Sequence, residues 1–144
     1  MNIRFQKSQD IGQVVSLANR YASFDSAVTE ADFQCASSFP RGLIVAEDDG
    51  SIVGFVFGYL REIPDEVLTK WNASKAAQIE LLVVDPAYRG QGIGRNLLDR
   101  LLEAFKEVVV DLVLLHCPAE SKEAKHLYER AGFQVRAYAM EKRL

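Results

Sequence analysis

Cysteine is scarce in this chain of 144 residues, and its scarcity argues against a fold held together by disulfides or zinc. Only Cys35 and Cys117 occur, and neither lies in a CxxC pair or in another spacing typical of a zinc site. We therefore expect reduced thiols, a cytoplasmic protein and no metal. A domain of this length buries roughly two thirds of the surface of its unfolded chain, so no such staple is required.

The sequence also lacks a basic excess and any long apolar run. A formal net charge of −3 argues against a general nucleic-acid binder, because surfaces that track phosphates are usually basic. No apolar run approaches the roughly 18 residues of a membrane span, and MNIRFQKSQD lacks the apolar core of a signal peptide. No repeat, biased tract or linker divides the chain, so residues 1–144 are expected to form a single domain with no membrane partner.

Apolar periodicity predicts an α/β (α+β) protein, a mixed sheet with helices on its faces. The first half is predicted to contain a strand at residues 2–6, helices after Ile11 and Thr29, a hairpin at 42–60 and a polar connection at 61–76 with one helical turn. The second half is predicted to contain a strand ending near Val84, a helix from Ile93 to about Glu107, a strand at 108–117, a helix capped by Ser121 and ended by Gly132, and a last strand over FQVRAYAMEKRL.

The stretch YRGQGIGR at residues 88–95 places three glycines where the strand ending near Val84 meets the following helix. Glycine inside a helix costs about 1 kcal/mol relative to alanine, so folding alone does not favour it there. A helix N-terminus offers unpaired amides and about half a positive charge, and absent side chains let a pyrophosphate approach. The alternative is a tight turn without a ligand, for which one glycine would normally suffice.

Two common phosphate motifs do not match this stretch. No Lys-Ser or Lys-Thr pair follows it, as a P-loop requires, and Leu97 occupies the third glycine position of a dinucleotide motif read from Gly92. A nucleotide-binding domain is therefore disfavoured. Arg89 and Arg95 would be mildly unfavourable at a helix N-terminus unless phosphates bind between them, although they could equally be solvated.

Counted from Arg89, the residues RGQGIG match R/Q-x-x-G-x-G/A, the coenzyme A signature of the GCN5-related N-acetyltransferase (GNAT) superfamily. They follow a V-D-P strand end and open a leucine-rich helix. About thirty residues later, HLYERAGF resembles the A-x-x-L-Y-x-x-x-G-F segment of the same superfamily. The chain therefore resembles GNAT proteins closely over residues 78–140, and over 1–75 in element order only.

The resemblance implies the GNAT fold, with a mostly antiparallel sheet of about six to seven strands and about four helices, splayed between the strands ending at Val84 and Cys117. It implies acetyl transfer from acetyl-CoA to a primary amine by direct attack in a ternary complex, in a protein expected to be a homodimer. The pantetheine arm would fill the gap like an extra strand. The implied cofactor contacts are Leu82, Val83, Val84, Arg89, Gly90, Gln91, Gly92, Ile93, Gly94, Arg95, Ser121 and Tyr128.

Tyr128 corresponds to the usual general acid of the superfamily. A phenol with a pKa of about 10 can protonate a leaving thiolate whose conjugate acid lies near 8.5 to 10. The alternative is a tyrosine of the apolar core. Where Ser121 stands the family often has asparagine, which puts that cofactor contact in doubt while leaving a helix cap in place.

An amine acceptor is mostly protonated at neutral pH, so a base is useful. Glu80 is the only charged residue in its apolar strand, and we expect it to share a buried face with Leu82 and Val84, which would raise its pKa. His116 lies near the end of the neighbouring strand, where some N-terminal acetyltransferases of the superfamily carry a catalytic His or Glu. The base could be Glu80, His116 or water, and the alternative is a purely structural role for both residues.

Acidic residues in the variable first half could attract a cationic acceptor, or could simply be solvated. A non-catalytic acyl-CoA-binding or regulatory module on the same fold is the alternative function, which the joint presence of Glu80, His116 and Tyr128 disfavours. The acidic residues concerned are Asp25, Glu30, Asp32, Asp65 and Glu66.

Overall fold

The computed structural model describes residues 1–22 and 27–144, without the side chains of 35–37, and Asp25 lies outside the described residues. The described chain forms five strands and four α-helices, joined by short 3-10 turns. The second predicted helix is a 3-10 helix, Glu30–Ser37. The bounds are β1 Asn2–Phe5, α1 Ile11–Tyr21, β2 Leu43–Asp48, β3 Ser51–Arg61, α2 Asp65–Lys70, β4 Ala76–Val84, α3 Ile93–Glu107, β5 Leu112–Leu115 and α4 Lys122–Arg130.

The strands lie in one sheet in the order β1-β2-β3-β4-β5, and only the β4–β5 pair is parallel. The β2–β3 hairpin turns at Asp49 and Gly50, whose φ angles of 49° and 82° suit the twist of a two-residue turn. A mixed, mostly antiparallel sheet is therefore confirmed. The expected six to seven strands are wrong, because residues 133–144 form no strand in the described chain.

Helices cover both faces of the sheet. On one face α1 packs Val14 and Leu17 against Phe55 and Phe57, while the opposite face buries Val56 with the apolar stripe of α3. Each fully buried side chain of this size stabilises the fold by about 1.5–3 kcal/mol. Within the described residues no helix is long and apolar enough to cross a membrane. The α3 stripe comprises Ile93, Leu97, Leu98, Leu101, Ala104 and Phe105.

A β-bulge interrupts the pairing of β3 with β4. Phe57 pairs with Leu81 and Gly58 pairs with Ile79, so Glu80 is left without an opposite residue. Gly58 permits the close approach, because a Cβ there would lie 2.8 Å from both the Gln78 carbonyl oxygen and Phe105 Cζ. The extra residue reverses the inward and outward alternation of β4 beyond this point.

The parallel ladder between β4 and β5 is short. It runs from the Ala76–Leu112 pair to the Ile79–Leu115 pair, while β4 continues to Val84. Within the described chain the backbone at 80–84 is therefore paired with β3 on one side and with no strand on the other. The two strands part after the Ile79–Leu115 pair, between the two strands for which the resemblance implied a splay.

Candidate active site

The segment that links β4 to α3 is fixed at both ends. The Asp85 carboxylate accepts a hydrogen bond from the Ala87 amide at 2.9 Å, and the Tyr88 hydroxyl donates to Asp48 of the β2–β3 hairpin at 2.9 Å. Gly90 and Gly92 then adopt left-handed φ angles of 78° and 80°, which residues with a Cβ rarely tolerate. Glycine at these two positions is thus required by the backbone.

The turn leaves a row of amide donors open. In the described part of the chain, no backbone N–H from Gly90 to Arg95 has a hydrogen-bond acceptor, and the regular helix bonds begin only with the Asn96 amide, which donates to the Gly92 carbonyl at 3.0 Å. These donors, together with the helix dipole, suit a phosphate group. Gln91 and Gly92 are exposed, whereas the Ile93 side chain is buried in the core.

The two arginines that flank the turn have contacts of their own. Arg89 Nε donates to the Val84 carbonyl at 3.3 Å, and Arg95 Nε pairs with Asp99 Oδ1 at 2.9 Å one helical turn later. Both side chains are exposed. They add positive charge near the open amides, and each holds a position that does not depend on a ligand.

Gly94 lies where β4, α3 and α4 converge. A Cβ at this position would be 3.6 Å from Leu127 Cδ2 and 3.7 Å from Val84 Cγ2. An alanine would make ordinary contacts, whereas a larger side chain would force the elements apart. Gly94 thus lets Leu127, in the second turn of α4, lie near the end of β4.

Tyr128 lies on α4 and faces the α3 side of the sheet. Its ring packs edge-on against Phe133 at 5.7 Å between centroids, and the side chain is half-buried. Burial raises the pKa of Tyr128 to about 12, with a smaller contribution from Cys117. Within the described part of the chain its hydroxyl makes no hydrogen bond, so it can donate to a ligand.

Ser121 and Cys117 lie on the loop between β5 and α4. Ser121 precedes α4 as predicted, but its side chain makes no capping hydrogen bond, and only its carbonyl accepts from the Lys125 amide at 3.0 Å. The Cys117 thiol lies 3.7 Å from the Pro118 carbonyl oxygen and 3.8 Å from that of Ser121. Burial raises the pKa of the Cys117 thiol.

Glu80 differs from expectation. Its side chain is exposed, and the Tyr59 hydroxyl donates to Glu80 Oε2 at 3.3 Å. The predicted burial beside Leu82 and Val84 is wrong, because the bulge at Glu80 turns the side chain towards the face that carries Tyr59. Glu80 still lies beside the open edge of β4, but on the α1 face of the sheet rather than on the face that carries Leu82 and Val84.

His116 follows directly after β5 and is exposed. Its Nδ1 lies 3.5 Å from Nε2 of Gln78, whose Oε1 accepts from Arg61 Nη1 at 3.2 Å. Gln78 is only 4% exposed, and the sequence analysis missed it. The sequence signal for a buried polar residue was Gln78 itself, an uncharged polar side chain at the start of the apolar run of β4.

Comparison with known proteins decides the family. The sequence model of the acetyltransferase (GNAT) family matches residues 11–133, most of the chain. The chain belongs to the GNAT family. The resemblance found in the sequence is thereby confirmed. Among curated GNAT relatives, a mycothiol acetyltransferase of Propionibacterium freudenreichii is 35% identical over 67% of this chain and 28% of its own length.

A second relative, an L-2,4-diaminobutyric acid acetyltransferase of Nocardia farcinica, is 33% identical over 70% of this chain and 48% of its own length. The chain thus spans less than half of either relative. A mutant of the BH1408 protein of Bacillus halodurans superposes with a TM-score of 0.82 at 25% identity, with 100% of this chain and 99% of that one covered.

Arabidopsis thaliana Naa50, solved with the bisubstrate analogue CoA-Ac-MVNAL, has a TM-score of 0.75 at 20% identity over 94% of this chain and 84% of its own. At that identity the likeness concerns the fold alone.

In this GNAT chain the candidate acid and bases lie on opposite faces of the sheet. Tyr128 packs against the buried cluster that contains the apolar stripe of α3. Glu80 contacts Tyr59, which packs against the cluster that contains Val14 and Leu17 of α1. Glu80 and His116 each come one residue after the last pair of the β4–β5 ladder. A molecule lying along β4 at 80–84 would therefore meet a hydroxyl donor from one side and proton acceptors from the other.

Proposed function

We propose that this chain is an N-acetyltransferase that moves the acetyl group of acetyl-CoA to a primary amine by direct attack in a ternary complex. The observation that carries the proposal is the end of the β4–β5 ladder at Ile79 and Leu115. Beyond this pair, the free edge of β4 adjoins the open amides at 90–95. An extended amide-containing arm that ends in a pyrophosphate matches both features.

The backbone of Leu82, Val83 and Val84 would pair with the pantetheine amides as a neighbouring strand does. The amides from Gly90 to Arg95 would bind the pyrophosphate, because Gly90 and Gly92 carry no Cβ and the helix dipole favours an anion. Arg89 and Arg95 would add positive charge at the rim. Acetyl-CoA supplies the activated acetyl group, and the proposal involves no metal.

In the reaction the amine lone pair forms a C–N bond with the acetyl carbonyl carbon, and the C–S bond breaks. The proton lost by the amine passes to Glu80, to His116 or to water. The leaving sulfur takes the proton of the Tyr128 hydroxyl. Since Glu80 and Tyr128 lie on opposite faces of the sheet, the amine enters from the α1 face and the thiol proton comes from the α4 face.

The raised pKa of Tyr128, about 12, is compatible with this role. At neutral pH the phenol is protonated and available as a donor. A phenol with this pKa is a weaker acid than an unperturbed tyrosine, so its proton moves to the leaving sulfur at a higher cost than the ordinary value of about 10 would give.

The acceptor is proposed to be a small-molecule or protein amine. One curated relative is named a mycothiol acetyltransferase and another an L-2,4-diaminobutyric acid acetyltransferase, and this chain spans 28% and 48% of their lengths. Exposed acidic residues offer sites for a cationic acceptor, but Asp32 instead accepts the Thr29 amide at 2.8 Å. Glu30, Asp32, Asp65 and Glu66 are all exposed. We further propose a cytoplasmic homodimer.

Thermal unfolding with ligands tests the cofactor. A ligand at about 100 times its dissociation constant stabilises a protein by about 2.7 kcal/mol. We expect CoA and acetyl-CoA to raise the melting temperature, and ATP and NAD to leave it unchanged at the same concentrations. Stabilisation by ATP or NAD and none by CoA would contradict the proposal.

A further inference from the structure

Gln78 is a buried polar residue beside the opening between β4 and β5. Its side chain is 4% exposed, and in the described part of the chain every buried side-chain nitrogen and oxygen has a hydrogen-bond partner. Gln78 pairs with Leu114 of β5, and His116 lies two residues after Leu114. Since residues two apart along an extended chain share a face, His116 and Gln78 lie on the same face of the sheet.

Arg61 fixes the orientation of the Gln78 amide. Arg61 Nη1 donates to Gln78 Oε1 at 3.2 Å. A guanidinium has donors only, so the amide atom that faces it is the oxygen, and the NH₂ group points the other way. The chemistry of Arg61 therefore decides which end of the amide faces His116.

The NH₂ end of Gln78 meets the His116 ring. Gln78 Nε2 lies 3.5 Å from His116 Nδ1. An amide NH₂ group can only donate, so Nδ1 accepts and the proton of the neutral imidazole stands on Nε2. A proton added at Nδ1 would set two donors against each other. Nε2 already carries its hydrogen, so it has no lone pair with which to take a proton from an amine.

Glu80 keeps the acceptor capacity that His116 lacks. Its carboxylate is exposed, and the Tyr59 hydroxyl donates to Oε2 at 3.3 Å. A carboxylate accepts at both oxygens and has about four lone-pair sites, so this one bond leaves others for a ligand. The face of the sheet that carries Tyr59 thus presents a proton acceptor at Glu80 and an N–H donor at His116.

We propose that Gln78, oriented by Arg61, is a positioning residue that holds His116 as a hydrogen-bond donor through Nε2. The ring then binds an oxygen of the amine acceptor, or a water molecule, at the opening. His116 does not take the proton that the amine loses, which passes to Glu80 or to water. This role in the reaction rests on the proposed function, whereas the tautomer of His116 does not.

Nitrogen-15 NMR of the imidazoles tests the tautomer in the free protein, without acetyl-CoA or an amine. The chain has two histidines, and the second, His126, is exposed on α4 and serves as the internal reference. At about pH 8.5 an ordinary imidazole is neutral. We expect the ratio of Nε2–H to Nδ1–H to be at least about fivefold higher in His116 than in His126. Equal ratios, or a majority of Nδ1–H in His116, would overturn the proposal.

Two variants change what faces Nδ1. Gln78→Glu places a carboxylate there, which accepts only, and should shift the ratio about tenfold or more towards Nδ1–H. Arg61→Ala, a change at an exposed residue, lets the amide turn over, so the His116 ratio should fall towards that of His126. Arg130→Ala, the loss of an exposed arginine on α4, is the matched control and should leave the ratio unchanged. A His116 ratio that Arg61→Ala leaves unchanged would mean that the amide does not hold the ring.

Turnover tests the role of the ring in the reaction. His116→Ala should raise the KM of the amine and lower kcat less than about tenfold, because a binding donor is lost and a base is not. A fall in kcat of about 10² or more, as expected for the loss of a general base, would overturn the proposal. The expected tautomer in a chain that acetylates no amine would refute the proposed function alone. Acetyl transfer by a chain whose His116 carries its proton on Nδ1 would do the reverse.

Discussion

Ile79 of β4 pairs with Leu115 of β5, and this is the last pair of their parallel ladder. Glu80 and His116 follow immediately on the two strands, at the point where the strands part. The sheet thus opens at the level where both candidate bases stand. The open amides of residues 90–95 lie at the far end of the same β4 edge, so the proposed cofactor and the candidate proton acceptors would share one gap.

Removing the Tyr128 hydroxyl should slow the reaction. With Tyr128→Phe, we expect kcat to fall by about 10² because the leaving sulfur loses its proton donor. CoA-induced thermal stabilisation should persist, since the ring still packs against Phe133. Free-thiol release measures the rate, and Tyr21→Phe, a change in α1, is the control. Full turnover by Tyr128→Phe would show that the general-acid role is wrong.

The same residue should make stability fall at high pH. Tyr128 has a pKa of about 12 in the folded chain and about 10 when unfolded. Its stabilisation is therefore complete below pH 10 and is lost as the pH rises towards 12, by about 2 kcal/mol. Denaturant unfolding at pH 8 and pH 11.5 should show a larger loss for the parent than for Tyr128→Phe. Equal losses would mean that the phenol is not buried as described.

Much of this architecture could be predicted from the sequence where a local rule decides. The apolar stripe in the sequence predicted the bounds of α3, Ile93–Glu107, because the residues on the buried face of a helix recur every three to four positions. Gly132 adopts a φ of 98° after α4, as a helix-ending glycine should. In these cases the pattern and its partner lie within a few residues of each other.

Other features depend on contacts between distant residues and could not be predicted. The bulge at Glu80 depends on how β3 and β4 align, so the two-residue period gave the wrong face for that side chain. Val109, with a φ of 66°, belongs to the turn after α3, and β5 therefore begins at Leu112 rather than near residue 108. The strand predicted over FQVRAYAMEKRL does not form in the described chain. Its alternating pattern does not specify which edge of the sheet the segment would join.

The base should be revealed by pH profiles. We expect either Glu80→Gln or His116→Ala to remove the acidic limb of kcat/KM, because that limb reports the group that must lose its proton. The unaffected variant serves as the control for the other. An acidic limb that persists in both variants and in the double variant would assign proton removal to water.

Alanine substitutions at Gly92 and Gly12 should distinguish an effect on CoA binding from an effect on stability alone. Gly92→Ala places a Cβ at a φ of 80°, which should cost about 1–2 kcal/mol of stability and reduce the CoA-induced rise in melting temperature. The matched control is Gly12→Ala in α1, where nothing lies within 4 Å of the new Cβ. That change should raise stability by about 0.5–1 kcal/mol and leave the CoA effect unchanged. Both are read by thermal unfolding with and without CoA.

Free-thiol release from acetyl-CoA, measured across a panel of primary amines, tests the central claim most directly. The panel should include amino acids, diamines, aminoglycosides and peptides with free N-termini. The account predicts that at least one amine releases thiol well above the acceptor-free rate, with one acetylated amine formed for each thiol. A protein that binds CoA but releases no thiol with any of these amines would contradict it and would instead indicate a non-catalytic acyl-CoA-binding module.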